Sequence, residues 1–286
     1  MTPALWGVAA AACWGTVEFV ARLSGRSIGP TNTLLGMLIV ATAAVSLWVW
    51  IDGTPLIWST AGLHWLIATG VFFAGGLLLL FASVTRGPIA VASPVVSSYP
   101  VFIVVGALIL GIIPSLIQSI AIVAILAGVW IVAHFAHPED RADGKDFRVW
   151  PTVALGLASA VIFAAGVMAG RQASEVYGEL QALWFNRLFA LLSLLLYMVV
   201  ARTAVDLPRR WWLPLAAMGL LDTLGIFAIF IGTAGEGAPV AAATSAPVTV
   251  ITVVLAAIFL RERIPLIQWA GIAIVVAGAV TLGYYG

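Results

Sequence analysis

The sequence predicts an all-α integral membrane protein of ten transmembrane helices, arranged as two inverted five-helix repeats. Three observations lead there. The 286 residues are 63% hydrophobic and only 9% charged, with a mean hydropathy of +1.13, whereas a soluble domain carries about 25% charged residues. The apolar residues fall into runs of about 20, the length that crosses a bilayer core as a helix. The later runs repeat features of the earlier ones at a constant displacement.

Taken in order, the ten runs cover about 4–22, 31–51, 62–83, 89–111, 115–135, 151–171, 181–201, 211–233, 239–260 and 264–284. Connections are short. The sizeable polar stretch, His137-Pro138-Glu139-Asp140-Arg141-Ala142-Asp143-Gly144-Lys145-Asp146, follows the fifth run. It divides the chain into a first repeat (1–135), a polar linker (136–150) and a second repeat (151–286).

The repeat rests on matched positions. Pro88-Ile89-Ala90 is echoed by Pro239-Val240-Ala241, Leu116-Ile117-Gln118 by Leu266-Ile267-Gln268, and Ala127-Gly128 by Ala277-Gly278, each about 150 residues on. Gly70 finds Gly219, Phe81 finds Phe230, and Arg22 finds Arg171. Five spans per repeat is an odd number, so the second copy must be inverted in the bilayer. The loops agree. Those after helices one and three carry Arg22, Arg26 and Arg86, while their counterparts carry Glu175, Glu179 and Glu236, with Arg171 against the trend. Asp52 follows helix two; Arg202, Arg209 and Arg210 stand at the equivalent place. Arg261 and Arg263 answer an uncharged loop after helix four.

Loops after odd-numbered helices hold eleven basic residues and those after even-numbered helices only Arg171. By the positive-inside rule this puts both termini outside and the linker in the cytoplasm.

A net charge of +1 offers nothing to nucleic acid. The single cysteine, Cys13, excludes disulfides within the chain. The first run begins within a few residues of Met1 without a basic leader, so no cleaved signal is expected. His64, His134 and His137 lack ligand spacing, so no metal is expected. Gly53, Gly75-Gly76 and Gly106 fit no phosphate loop, and no ATP-binding domain is present, so no cofactor is expected either.

Two stretches stand out. Ser93-Pro94-Val95-Val96-Ser97-Ser98-Tyr99-Pro100 interrupts the fourth run, and Ala243-Thr244-Ser245-Ala246-Pro247-Val248-Thr249 interrupts the ninth. Proline removes an N–H and opens the helix ladder. Pro94, Pro100 and Pro247 are therefore expected helix breaks, with Ser97 and Ser245 as substrate-binding hydroxyls beside them. Broken helices at matching places in two halves point to a transporter's binding site. The alternative is that these small residues only let helices pack closely.

Ionisable groups deep in an apolar run are functional candidates. Glu18 shares a face of helix one with Gly7, Ala11, Trp14 and Arg22. Its structural alternative is an i,i+4 pair with Arg22. Asp222 lies mid-way along helix eight, where a buried acid could carry a proton, unless a distant partner such as Arg187 neutralises it. For Arg187 the structural role, clamping carbonyls or a carboxylate, is the favoured one. Trp14, Tyr99 and Phe163 could stack on a substrate ring or simply fill the core or face lipid. The pairs Trp48 with Trp50 and Trp211 with Trp212 read as interfacial belts.

Ala12-Cys13-Trp14-Gly15-Thr16, Ser98-Tyr99-Pro100-Val101-Phe102 and Arg261-Glu262-Arg263-Ile264-Pro265-Leu266-Ile267-Gln268-Trp269-Ala270-Gly271 resemble the drug/metabolite transporter superfamily, and within it the ten-helix, two-repeat EamA-type exporters. The resemblance covers the whole chain. It implies a central cavity between the repeats, lined mainly by helices one, three, four, six, eight and nine. It implies export of small metabolites across the cell (inner) membrane, with amino acids, including aromatic ones, as the branch it most resembles, and both termini in the cytoplasm, against the loop-charge count. The first-half turn departs from the family pattern: Gly111-Ile112-Ile113-Pro114 stands where Gly-Glu-Arg is usual. The turn is therefore not expected to belong to the substrate site.

The expected function is secondary transport of a small molecule such as an amino acid by alternating access, without catalysis and without need of an oligomer, with protons as the candidate coupling ion. The rival is an intramembrane enzyme using Glu18 and Asp222, for which the chain shows no nucleophile motif.

Overall fold

The structure, a computed structural model, describes residues 2–53, 55–109, 113–135, 149–232, 244–262 and 264–285. Linker residues 136–148, the first-half turn at Gly111-Ile112, Pro239-Val240-Ala241, Glu236, Ala243 and Arg263 lie outside the described residues, and the last two linker residues, Val149 and Trp150, already belong to the next helix. Every regular element among the described residues is helical. The first half contains α1 (Pro3–Ile28), α2 (Pro30–Asp52), α3 (Leu63–Arg86), α4 (Ile89–Val96), α5 (Tyr99–Ile109) and α6 (Leu116–His134). The second contains α7 (Val149–Tyr177), α8 (Glu179–Val200), α9 (Arg209–Gly232), α10 (Val248–Leu255), a π-helical turn (Ala256–Leu260) and α11 (Leu266–Tyr285). Since α4 and α5 together make one span, nine segments among the described residues are long and apolar enough to cross a membrane, and Val248–Leu260 is a shorter tenth. The chain is a multi-pass membrane protein.

Helices one and six run further than their apolar stretches, to Ile28 and Tyr177. Polar residues at their ends, such as Ser24, Arg26, Gln172 and Glu175, are tolerated in helix. What stops both is a glycine. Gly29 (φ +82°) and Gly178 (φ +76°) adopt a conformation open to glycine alone and turn the chain into the next helix. They stand about 150 residues apart, the repeat's own displacement. The end of α2 at Gly53 and the end of α8 near Arg202 repeat it too, both left-handed (φ +68° and +52°). The turn geometry has been kept in the second copy although the glycine has not.

Packing obeys the same two-fold relation. α3 packs on α7 as α9 packs on α1, and α3 on α8 as α9 on α2. The matched glycines lie at equivalent crossings: Gly70 abuts Phe189 and Ala190 of α8, and Gly219 abuts Met37, Val40 and Ala41 of α2. Gly128 of α6 faces Gly271 of α11, where added Cβ atoms would come within 2.8 and 3.1 Å of the partner's carbonyl oxygens. Lipid is as apolar as leucine, so helices in a bilayer associate through such close approaches.

Trp50 and Trp212 are exposed, as an interfacial belt requires. Their neighbours are not: Trp211 Nε1 donates to Ser27 Oγ (3.0 Å), and the Trp48 ring lies 4.9 Å from that of Phe227. Each pair is split by the helix's turn, one member outward and one inward. At one end of the bundle Arg26 donates to Thr85 O (3.3 Å) and Arg210 to Ser27 Oγ (3.0 Å), so the loops after helices one, three and seven gather there. At the other end Tyr177 donates to Ser59 O (2.6 Å) and Gln181 holds Ile57 through both backbone groups.

Candidate functional site

One face of α1 organises the polar interior. Trp14, Glu18 and Arg22 are spaced one turn apart and so project in the same direction. Each meets a different polar layer.

The first layer is an ion pair. Arg187 Nη2 of α8 lies 2.7 Å from Asp222 Oδ2 of α9, with the arginine 0% and the aspartate 4% exposed. The Trp14 indole crosses α9 at Gly225, one turn from Asp222, where a Cβ would come within 2.8 Å of the ring nitrogen. Arg187 Nη1 donates to Asn186 Oδ1 (3.2 Å), and Asn186 Nδ2 donates to Thr69 Oγ1 of α3 (2.9 Å). The Phe73 ring lies 4.1 Å from the guanidinium.

The second layer joins the two broken helices. Glu18 Oε2 accepts from Ser93 Oγ of α4 (2.6 Å) and from Thr252 Oγ1 of α10 (3.0 Å). Thr249 of α10 meets Ser93 and Ser97 through its hydroxyl. The break itself follows from composition. Pro94 cannot donate to the fourth-preceding carbonyl. The chain leaves helix at Ser97-Ser98, where Ser98 Oγ donates to Val95 O (2.6 Å), and restarts at Tyr99. In the second half the turn falls at Ala246-Pro247, and Pro247 opens α10 by accepting from Val250 N (2.9 Å).

The third layer is a seal. Arg22, 3% exposed, donates to Val84 O and Gly87 O at the α3–α4 corner and to Glu262 Oε1 (3.3 Å). Glu262 Oε1 also accepts from Ile89 N (3.4 Å), the first residue of α4. One arginine and one glutamate thus tie α1, the α3–α4 corner and the α10–α11 turn.

Above the first layer lies a cavity of about 270 Å3. Thr69, Phe73, Phe163, Asn186, Arg187 and Ile226 wall it, and it extends to Ser174 and Glu179 at the α7–α8 corner, the end opposite Arg22.

Of the residues expected from sequence, Phe163 walls this cavity, with its ring 5.9 Å from that of Phe73. Trp14 and Asp222 sit behind its Arg187 floor, and Glu18 and Ser97 lie in the second layer. Tyr99 is 37% exposed at the start of α5, and Ser245 is half-buried just before Pro247; neither walls the cavity. Two of the three expected breaks do not fall at their proline: Pro94 lies inside α4, three residues before the turn at Ser97-Ser98, and Pro100 occupies the first turn of α5. Pro247 lies in the turn that precedes α10, and both it and Pro100 stand where no N–H is needed. The Arg187–Asp222 pair anticipated as the structural alternative is present. Glu18 bonds hydroxyls, and Arg22 engages Glu262. Helix seven lines the cavity through Asn186 and Arg187, while helices one, four and nine, named with the family's cavity, supply none of its walls among the described residues.

Sequence reasoning passed over Thr69, Phe73, Asn186, Ser93, Thr249, Thr252 and Glu262 as site residues. Signals existed for some. Thr249 and Thr252 share a face immediately beyond the second break, Ser93 belongs to the first, and Asn186 adjoins a buried arginine. Thr69 and Phe73 carry no pattern that distinguishes them. Among the described residues no three His, Cys, Asp or Glu side chains come together.

Comparison with known proteins follows the same lines. The family model described as EamA-like transporter family matches residues 1–133 and 150–284. A solved structure described only as "Crystal structure of protein" superposes with a TM-score of 0.67 at 20% identity, covering 98% of this chain and 94% of its own, a likeness of fold. No curated protein matches in sequence.

Proposed function

Because the chain belongs to the EamA-like transporter family, we propose that it exports small metabolites, amino acids first among them, by alternating access at the site built on α1. The supporting observation is the order of the layers: a cavity reaches Arg187 from one end of the bundle, and Glu18 and then Arg22 close the path toward the other. A carrier that exposes its site to one side at a time needs such an arrangement. At about 270 Å3 the cavity is smaller than the ~300–1,000 Å3 typical of drug-sized ligands and suits a small metabolite. Phe73 and Phe163 in its walls favour an aromatic side chain as cargo.

In this proposal the protein resides in the cell (inner) membrane, each five-helix half (1–135 and 151–286) moves as a unit about the linker, and one chain suffices. The enzyme alternative loses ground because Glu18 and Asp222 have separate partners, hydroxyls for one and Arg187 for the other. The test is efflux from liposomes holding the purified chain and a panel of amino acids. Saturable efflux of at least one supports the proposal; leakage equal to that of protein-free liposomes for every member overturns it.

A further inference from the structure

We propose that the Arg187–Asp222 pair is the recognition element for a zwitterion: it opens to bind the carboxylate of an α-amino acid at Arg187 and its ammonium group at Asp222. The inference rests on the transport function above and names its substrate class. Four observations carry it. Arg187 lies at the floor of the cavity with Asp222 directly behind it, 2.7 Å away, and Asn186 beside Arg187 also faces the space. Arg187 is 0% exposed, yet its Nε has no hydrogen-bond partner. Its contact with Asp222 is close (2.7 Å) but the Nη2 atom makes no well-directed hydrogen bond. A guanidinium offers five N–H donors in a planar fork, and here one clear hydrogen bond, to Asn186, is made.

Buried donors left unmade are costly, and a planar fork fits a carboxylate in two-point contact. A carboxylate entering the cavity would satisfy Nε and Nη2 together. Charge decides which carboxylate. The resting pair is neutral. A bare anion would displace Asp222 and leave one uncompensated negative charge in a buried place, which is strongly unfavourable. A bare cation would do the converse at Arg187. A zwitterion exchanges one ion pair for two and leaves the site neutral. Phe73 and Phe163 then border the part of the cavity left for the substrate's side chain, and Phe73, lying against the guanidinium, must shift as the carboxylate arrives. Glu179 at the outer end is exposed and leaves the site's balance unchanged.

The experiment uses the full chain in liposomes. Counterflow of labelled phenylalanine and of labelled threonine is competed with the unlabelled amino acid, its carboxamide, and its des-amino acid (3-phenylpropionate or 3-hydroxybutyrate). For the wild type the zwitterion should compete at least tenfold better than either analogue. Arg187→Gln should abolish the advantage over the carboxamide, and Asp222→Asn the advantage over the des-amino acid. Arg187→Lys keeps the charge without the fork and should retain part of the preference. Equal competition by all three compounds in the wild type, or an unchanged tenfold preference in Arg187→Gln, overturns the inference while leaving transport itself standing. Absence of counterflow for every amino acid overturns the transport reading on which the inference rests. The wild-type competition pattern needs no variant to fold.

Discussion

Arg22 and Glu262, 240 positions apart in sequence, form a buried ion pair 3.3 Å across that joins the first helix of one repeat to the last turn of the other. The repeat does not supply its mirror image. Arg171, equivalent to Arg22, is exposed, and the first-half turn Gly111-Ile112-Ile113-Pro114 contains no acid. The seal is built at one end.

Removing one partner of a buried pair strands the other, at a cost of about 3–5 kcal/mol. Glu262→Ala should therefore lower the thermal unfolding midpoint of the detergent-purified protein markedly, while Arg171→Ala should change stability by less than about 0.5 kcal/mol. Equal midpoint shifts for the two variants would show that Arg22 and Glu262 do not hold the bundle shut.

Glu18 is the better placed of the two deep acids to carry a proton, because its partners are hydroxyls whereas Asp222 already faces Arg187. Wild-type efflux from liposomes should rise when an inward proton gradient is imposed. Glu18→Gln, which preserves shape, should lose that dependence, and Asp222→Asn should keep it. Wild-type flux indifferent to the gradient would make the protein a facilitator.

Phe163 walls the cavity and Tyr99 does not. Ring stacking contributes about 0.5–1.5 kcal/mol beyond area burial. Phe163→Ala should accordingly depress phenylalanine transport more than threonine transport, by roughly two- to tenfold in the ratio. Tyr99→Ala should leave the ratio unchanged. The reverse ranking would move the aromatic subsite to α5.

Much of the fold was legible because the bilayer imposes simple rules on sequence. Length and hydropathy mark spans, and the displacement between Leu116-Ile117-Gln118 and Leu266-Ile267-Gln268 reappears as two helices, α6 and α11, that begin at the same residues of the motif. Pro94 with Ser97 and Ser98 announced a break because proline and hydroxyls change the backbone locally. Partnerships were harder to foresee. Glu18 followed by Arg22 suggests a local pair, and only the packing of α1 between α4 and α10 gives Glu18 to Ser93 and Thr252. The walls at Thr69 and Phe73 were invisible because a cavity depends on which helix faces cross, and small or aromatic residues on an apolar helix look alike whether they face a cavity, a neighbour or lipid.

The arginines predict a membrane orientation. Since Arg22, Arg26, Arg86 and Arg210 belong to loops or helix ends gathered at one end of the bundle, the expectation from the positive-inside rule is that this end faces the cytoplasm and the chain termini lie outside. A C-terminal reporter active only outside the cytoplasm should give signal, and one active only within it should be silent. A cytoplasmic signal would mean that the termini face the cell interior, as the family resemblance suggests against the charge count.

The central claim is that substrate crosses where the two broken helices meet. Ser97 on the first break contacts Thr249 of α10, and Ser245 precedes the second at Pro247. The most direct measurement is amino-acid efflux from liposomes containing Ser97→Phe or Ser245→Phe, each shown by size-exclusion chromatography to be inserted and monodisperse. The account predicts at least a tenfold loss of flux in both variants. Wild-type flux through both would contradict it and place the path elsewhere.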